Sequence, residues 1–212
     1  MQAARRIGLM GGSFDPVHQA HVALAELALR ELQLDEVRWI PAGQPWQKAR
    51  QLAPAADRVA MVRLAIRHEP RFVVDTVEVE RSGPSYTLDT VRSLQAGLPG
   101  QANSWFLIIG QDQYANFHTW HGWEELLDRV TLAVAGRAGQ VPQAHALLSR
   151  HPHQLVLLPL PSMAVSSTDI RARLARGDDA ASLVPAMVSE AVARYIADHQ
   201  LYAPEPPLNG HP

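Results

Sequence analysis

Apolar positions along the chain follow two rhythms. Short apolar runs predict strands at Arg5 to Met10, Glu36 to Ile40, Phe72 to Val74, Trp105 to Ile109, Thr131 to Ala135 and Gln154 to Leu160. Spacings of three and four predict helices between them. The first runs from Gln19 to Leu34, with Val22, Ala25, Leu29 and Leu32 on one face; the next starts at Pro54 with Val59, Val62 and Ile66 spaced for burial. A third covers Leu88 to Leu98, with Asp89 in its favoured first turn. Ser166 and Asp169 have the spacing of a capping box for a helix that Gly177 closes, and Pro185 is expected to start a last helix carrying Val188, Val192, Tyr195 and Ile196. Val77-Glu78-Val79-Glu80 alternates, so a small edge extension is expected ahead of the turn at Ser82-Gly83-Pro84.

Strands that alternate with helices imply an α/β fold, here a Rossmann-like doubly wound parallel sheet with helices on both faces. Trp105 to Ile109 is apolar throughout, as a strand buried on both faces should be. Residues 1–202 are expected to form one domain, and the proline-rich 203–212 to fray. Ligands of such sheets bind at the carboxyl ends of the strands.

Composition narrows the function. The net charge of −2, with signs interspersed, gives no footprint for nucleic acid. The absence of cysteine excludes disulfides and thiolate metal sites. No apolar stretch is long enough for a bilayer or a secretory signal, so a soluble cytoplasmic protein with no membrane partner is expected. A homo-oligomer is left open.

Candidate chemistry starts where the first strand ends. Gly11 and Gly12 lack a Cβ, so the chain can turn sharply and bring backbone N–H groups against an anion, with Ser13 and Phe14 following. His18 and His21, three apart at the start of the next helix, share one face, and the helix terminus favours phosphate and a protonated or donor imidazole beside it. A metal pair is the alternative, although it more often uses a four-residue spacing with carboxylate help; an ordinary strand-to-helix turn is another. Ser166, Ser167 and Thr168 offer hydroxyls at a second helix start, with Arg171 one turn in; a plain helix cap explains them equally well. Gly110 and Asp112 follow a buried strand and would often be a simple turn.

The run Gly11-Gly12-Ser13-Phe14-Asp15-Pro16-Val17-His18-Gln19-Ala20-His21 resembles the signature of the nucleotidylyltransferase superfamily in its nicotinate-nucleotide adenylyltransferase branch, with Ala20 in place of a glycine. Val165 to Arg171 is similar to the second signature, with Val165 for isoleucine. Pro41, Pro45 and Lys48, the only lysine in the chain, fit a third pattern in which Gln47 replaces histidine.

The resemblance implies transfer of the adenylyl group of ATP to nicotinate mononucleotide, giving deamido-NAD and pyrophosphate by direct in-line attack. It implies that His18 and His21 steady charge at the α-phosphoryl, and that Arg171, Lys48 and a magnesium ion hold the leaving pyrophosphate. Gly110 and Asp112 would take the ribose, Ser85, Tyr86 and Thr87 the nicotinate carboxylate, and Trp120 the pyridine ring. Arg137 would lie near the phosphates. Trp123 is expected in the core. Two rival readings remain: another phosphate-ester acceptor such as nicotinamide mononucleotide, and a non-catalytic nucleotide sensor suggested by Ala20 and Gln47.

Overall fold

Strands β1 (Arg6–Gly12), β2 (Glu36–Pro41), β3 (Phe72–Val74), β4 (Ser104–Gly110), β5 (Thr131–Gly136) and β6 (Leu155–Pro159) pair in parallel as one sheet in the order β3-β2-β1-β4-β5-β6. The computed structural model describes residues 4–44, 52–98, 102–136 and 142–204. The chain builds outward from β1 in one direction, then returns to continue from β4 in the other. The strand order therefore reverses between β1 and β4, the position where open α/β sheets form a ligand crevice.

Alternation along each strand feeds two cores. Phe106 and Ile108 of β4 join Trp39 and Ala133 on one face, under α1 (Gln19–Glu31), α2 (Ala55–Ile66), α8 (Ser167–Ala175) and α9 (Glu190–Asp198). Trp105, Leu107 and Ile109 join Leu9 and Val134 on the other, under α4 (Thr87–Ala96), α6 (Trp123–Arg129) and α7 (Ala146–Arg150). Both faces are buried, which is why the β4 sequence is uniformly apolar. Trp123 is partly buried against the second core.

Three expected elements differ. Val77–Glu80 is one turn of helix, α3, because the Asp75 carboxylate accepts from Val77 N at 3.1 Å and Glu80 N closes onto Thr76 O at 3.0 Å. Local side-chain capping outweighs the two-residue alternation. The first helix stops at Glu31 and not at Leu34: Gln33 takes a left-handed φ of 47° and Leu34 N returns to Leu29 O at 3.0 Å. The last helix begins at Glu190, capped by the Ser189 hydroxyl, and not at Pro185. The Pro185 segment instead braces the start of α1, since Gln19 N donates to Met187 O at 2.8 Å and Gln19 Nε2 to Pro185 O at 3.2 Å. Among the described residues no helix is long and apolar enough to cross a membrane.

Candidate active site

The carboxyl ends of β1 and β4 open into a cavity of about 470 Å³. Gly11, Gly12, Ser13, Phe14, His18 and His21 line one part of it, joined by Ser167. Ser85, Tyr86, Thr87, Trp120 and His121 line another, and Gly110 lies on the β4 side. Candidates from five segments distant in sequence thus share one volume.

The glycine pair works differently from the sequence expectation. Both glycines continue β1, opposite Ile40 and Pro41, and the left-handed residue is Phe14, at φ 46°. Gly12 is small because a Cβ there would sit 3.1 Å from the Phe14 ring. A Cβ on Gly11 would meet nothing within 4 Å, so it would occupy only the cavity. Gly11→Ala is therefore expected to keep the thermal midpoint within about 2 °C while weakening nucleotide binding at least ~10-fold, read by thermal melts and calorimetry.

A left-handed phenylalanine persists only where its surroundings hold it. Arg58, 1% exposed, donates from Nη1 to Ser13 O at 2.9 Å and from Nε to Ala53 O at 3.0 Å. Ser167 Oγ donates to Pro16 O at 2.9 Å and Arg171 Nη1 to Asp15 O at 2.6 Å. Tyr202 OH donates to Asp15 Oδ1 at 2.7 Å, and burial, with that contact second, pushes the phenol upward. Three remote segments, α2, α8 and the chain end, thus converge on residues 13–16.

The imidazoles of His18 and His21 stack with centroids 3.7 Å apart and planes 19° from parallel. His18 N donates to His21 Nδ1 at 3.2 Å, so a neutral His21 carries its proton on Nε2. Burial pushes the His18 imidazole down from 6.5 to about 4, and its Nδ1 is buried without a hydrogen-bond partner among the described residues. Of the two expected forms, protonated or neutral donor, burial favours the neutral donor for His18. An orphaned buried nitrogen beside an open cavity is suited to meet a ligand.

The depressed value sets a pH dependence of folding. The unfolded chain takes up the proton first, so the full stability is present above pH 6.5 and falls as pH drops toward 4. His18→Asn should remove about 3 kcal/mol of that acid loss, seen as a smaller difference between urea midpoints at about pH 7 and 4.

Other expected residues fall less directly on the cavity. Ser166 Oγ accepts from Asp169 N at 3.1 Å, the role of a helix cap, and Arg171 also donates to Thr168 Oγ1 at 3.2 Å. Ser166, Thr168, Arg171 and Asp112 are not among the described lining residues. Asp112 and Gln113 of α5 (Gln111–Ala115) are both exposed, and it is Gln113 that lines the cavity, its Oε1 accepting from Gly110 N at 2.9 Å. Ser85 is committed to the protein: Oγ accepts from Gly43 N at 3.1 Å and Gln44 N at 3.2 Å, while its own N donates to Gln44 O at 3.1 Å. Ser85 leads into the start of α4, whose first N–H groups have no partner within their own helix. Lys48 and Arg137, with Pro45 and Gln47, lie outside the described residues.

Sequence reasoning missed Glu78. It is 7% exposed, lines the cavity, accepts from Thr90 Oγ1 at 2.7 Å and from the Ser85 hydroxyl, and is pushed upward by burial. Reading 77–80 as a strand hid it, whereas a helical reading would have turned it inward. The backbone of α3 also clamps the β2 loop: a Cβ on Gly43 would lie 2.1 Å from Glu78 O. Gly43→Ala should cost about 2 kcal/mol or more, against almost nothing for Gly11→Ala, measured by chemical denaturation.

Residues 9–173 match the family described as cytidylyltransferase-like. A probable nicotinate-nucleotide adenylyltransferase of Methylibium petroleiphilum is 55% identical over 208 residues, covering 98% of this chain and 96% of that protein. One from Bordetella petrii is 50% identical over 202 residues, covering 93% and 99%. Among solved structures, Plasmodium falciparum nicotinic acid mononucleotide adenylyltransferase complexed with NaAD superposes with a TM-score of 0.76 at 18% identity, covering 93% of this chain and 97% of that one; identity this low speaks for the fold alone. Full-length identity of this order, over a cavity built on the paired histidines, makes the chain a member of the nicotinate-nucleotide adenylyltransferase family within the cytidylyltransferase-like group.

Proposed function

We propose that the protein transfers the adenylyl group of ATP to nicotinate mononucleotide, forming nicotinic acid adenine dinucleotide and pyrophosphate in NAD biosynthesis. The observation that carries this reading is the continuity of one cavity from the stacked His18 and His21 to Ser85, Tyr86, Thr87 and Trp120. One part offers nitrogen donors beside an open strand end and suits phosphates. The other offers a helix start and a flat aromatic ring, and suits an anionic heterocycle.

The chemistry needs no protein nucleophile. The 5′-phosphate of the mononucleotide is already anionic and attacks the α-phosphorus in line; the bond to the β,γ-pyrophosphate breaks, and pyrophosphate leaves. Holding both substrates in one volume makes the attack effectively intramolecular. His18, held neutral by burial, and His21 present N–H groups where charge grows on the transferring phosphoryl. Arg171 lies one turn into α8, behind Ser167, and is assigned with Lys48 to the leaving pyrophosphate. Gly110 is assigned to the nucleotide ribose.

Magnesium fits as an ion carried by the nucleotide. Among the described residues no group of three His, Cys, Asp or Glu is arranged to hold a metal, and Glu78 is engaged by two hydroxyls. Magnesium characteristically uses substrate phosphates together with few protein ligands, and it would neutralise charge on the pyrophosphate.

Pyrophosphate release by the purified protein, with ATP and each mononucleotide offered separately, tests the reading. Release with nicotinate mononucleotide and much less with the amide is expected. ATP binding without release in either case would leave a nucleotide sensor.

A further inference from the structure

His121 is absorbed by neither the phosphate chemistry nor the ring-stacking role of Trp120, yet it lines the same cavity. Its imidazole lies against the Tyr86 ring, with centroids 4.5 Å apart and planes 31° from parallel, at the residue that caps α4. The turn that carries it is pinned. Gly122 is left-handed at φ 62°, and a Cβ there would strike Leu88 Cδ2 at 2.3 Å, so this turn packs directly on the first turn of α4. Trp123 N closes the turn onto Trp120 O at 3.2 Å. Backbone constraint and ring contact together hold an ionisable group against the residue that caps α4, in the cavity that Trp120 also lines.

We propose that the His121 imidazole is a specificity-determining group for the ring substituent of the mononucleotide, favouring an anionic substituent over a neutral amide whenever the imidazole is protonated. The inference rests on the adenylyltransferase reading above and extends it to the choice between acid and amide. Histidine is the side chain that ordinarily changes charge between about pH 5 and 8, so the choice becomes pH-dependent. A carboxylate gains from the imidazolium, whereas an amide gains only a hydrogen bond.

His18 and His21 line the phosphate-facing part of the same cavity, and Arg81 donates from Nη1 to Thr90 Oγ1 beside Glu78. Asp89 of α4 and Glu125 of α6 are both paired with Arg92. Glu124 of α6 is exposed. The carboxyl lining the same cavity is Glu78, held by Thr90 and Ser85. Protonation of Glu78 would also favour an anionic ring as pH falls, so it is the competing source of the same effect.

The test measures kcat/KM for nicotinate and nicotinamide mononucleotides on the full chain from about pH 6 to 8.5. Both substrates carry the same 5′-phosphate, so its titration cancels in the ratio. The acid-to-amide ratio should rise about fivefold on going from the alkaline to the acidic end. It should stay flat and low in His121→Asn, and high at every pH in His121→Lys; because His121 is exposed, neither change disturbs the core. A flat ratio in the parent, or the same rise in His121→Asn, overturns the proposal. A rise that survives His121→Asn and vanishes in Glu78→Gln assigns the effect to Glu78 and also overturns it. Failure of both mononucleotides to release pyrophosphate would overturn the adenylyltransferase reading, and this inference with it; a flat ratio in an active protein overturns this inference alone.

Discussion

His18→Ala and His21→Ala each lower turnover by about 10² to 10³-fold while leaving KM for nicotinate mononucleotide within about twofold, as expected when charge stabilisation in the transition state is lost and ground-state binding is kept. The two rings act from one place, stacked 3.7 Å apart beside the end of β1. Their losses are therefore expected to be non-additive, with the double variant little worse than either single one. His21 carries a second duty, since its Nδ1 accepts from His18 N, an otherwise unsatisfied donor at the start of α1. His21→Ala should accordingly lose about 1 kcal/mol of stability as well, whereas His21→Asn keeps an acceptor and should lose less. Steady-state kinetics with thermal melts on the same samples separate the two effects. Near-normal turnover in either alanine variant would remove that imidazole from the mechanism.

Arg58→Met should destabilise the protein by about 3 kcal/mol or more and depress turnover with it, because a buried guanidinium that donates to two backbone carbonyls is lost. Those carbonyls belong to Ser13 and Ala53, so the change acts on the left-handed loop at Phe14 from behind. Tyr202→Phe removes one hydroxyl from Asp15 Oδ1, which still accepts from Ala53 N at 3.2 Å, and it should cost only about 1 kcal/mol. Urea denaturation ranks the two. Equal and small losses would mean that the loop holds its conformation without Arg58.

Much of this was legible in the sequence for identifiable reasons. The β4 run from Trp105 to Ile109 could only be a strand buried on both sides, and its odd and even residues do enter separate cores. Three-residue spacing placed His18 and His21 on one helical face, and they stack there. Legibility failed where a local side chain overrode a periodic pattern. Alternation in Val77–Glu80 suggested a strand, but the Asp75 carboxylate starts a turn of helix and buries Glu78 in the cavity. The glycine pair suggested a sharp bend, but the left-handed residue is Phe14, whose strain is supported by partners 40 or more residues away in sequence, which no local reading can supply. Ser166 illustrates the reverse case, in which the modest reading, a helix cap, describes what the hydroxyl does.

Adenylyl transfer in this cavity requires both halves of one dinucleotide to fit the volume between the β1 end and the start of α4. A crystal structure of the protein with nicotinic acid adenine dinucleotide measures this directly. The adenylate phosphate should lie within hydrogen-bond reach of His18 and His21, with the pyridine ring against Trp120 and its carboxylate at the α4 terminus. Phosphates bound away from both imidazoles, or a dinucleotide lying outside this cavity, would contradict it.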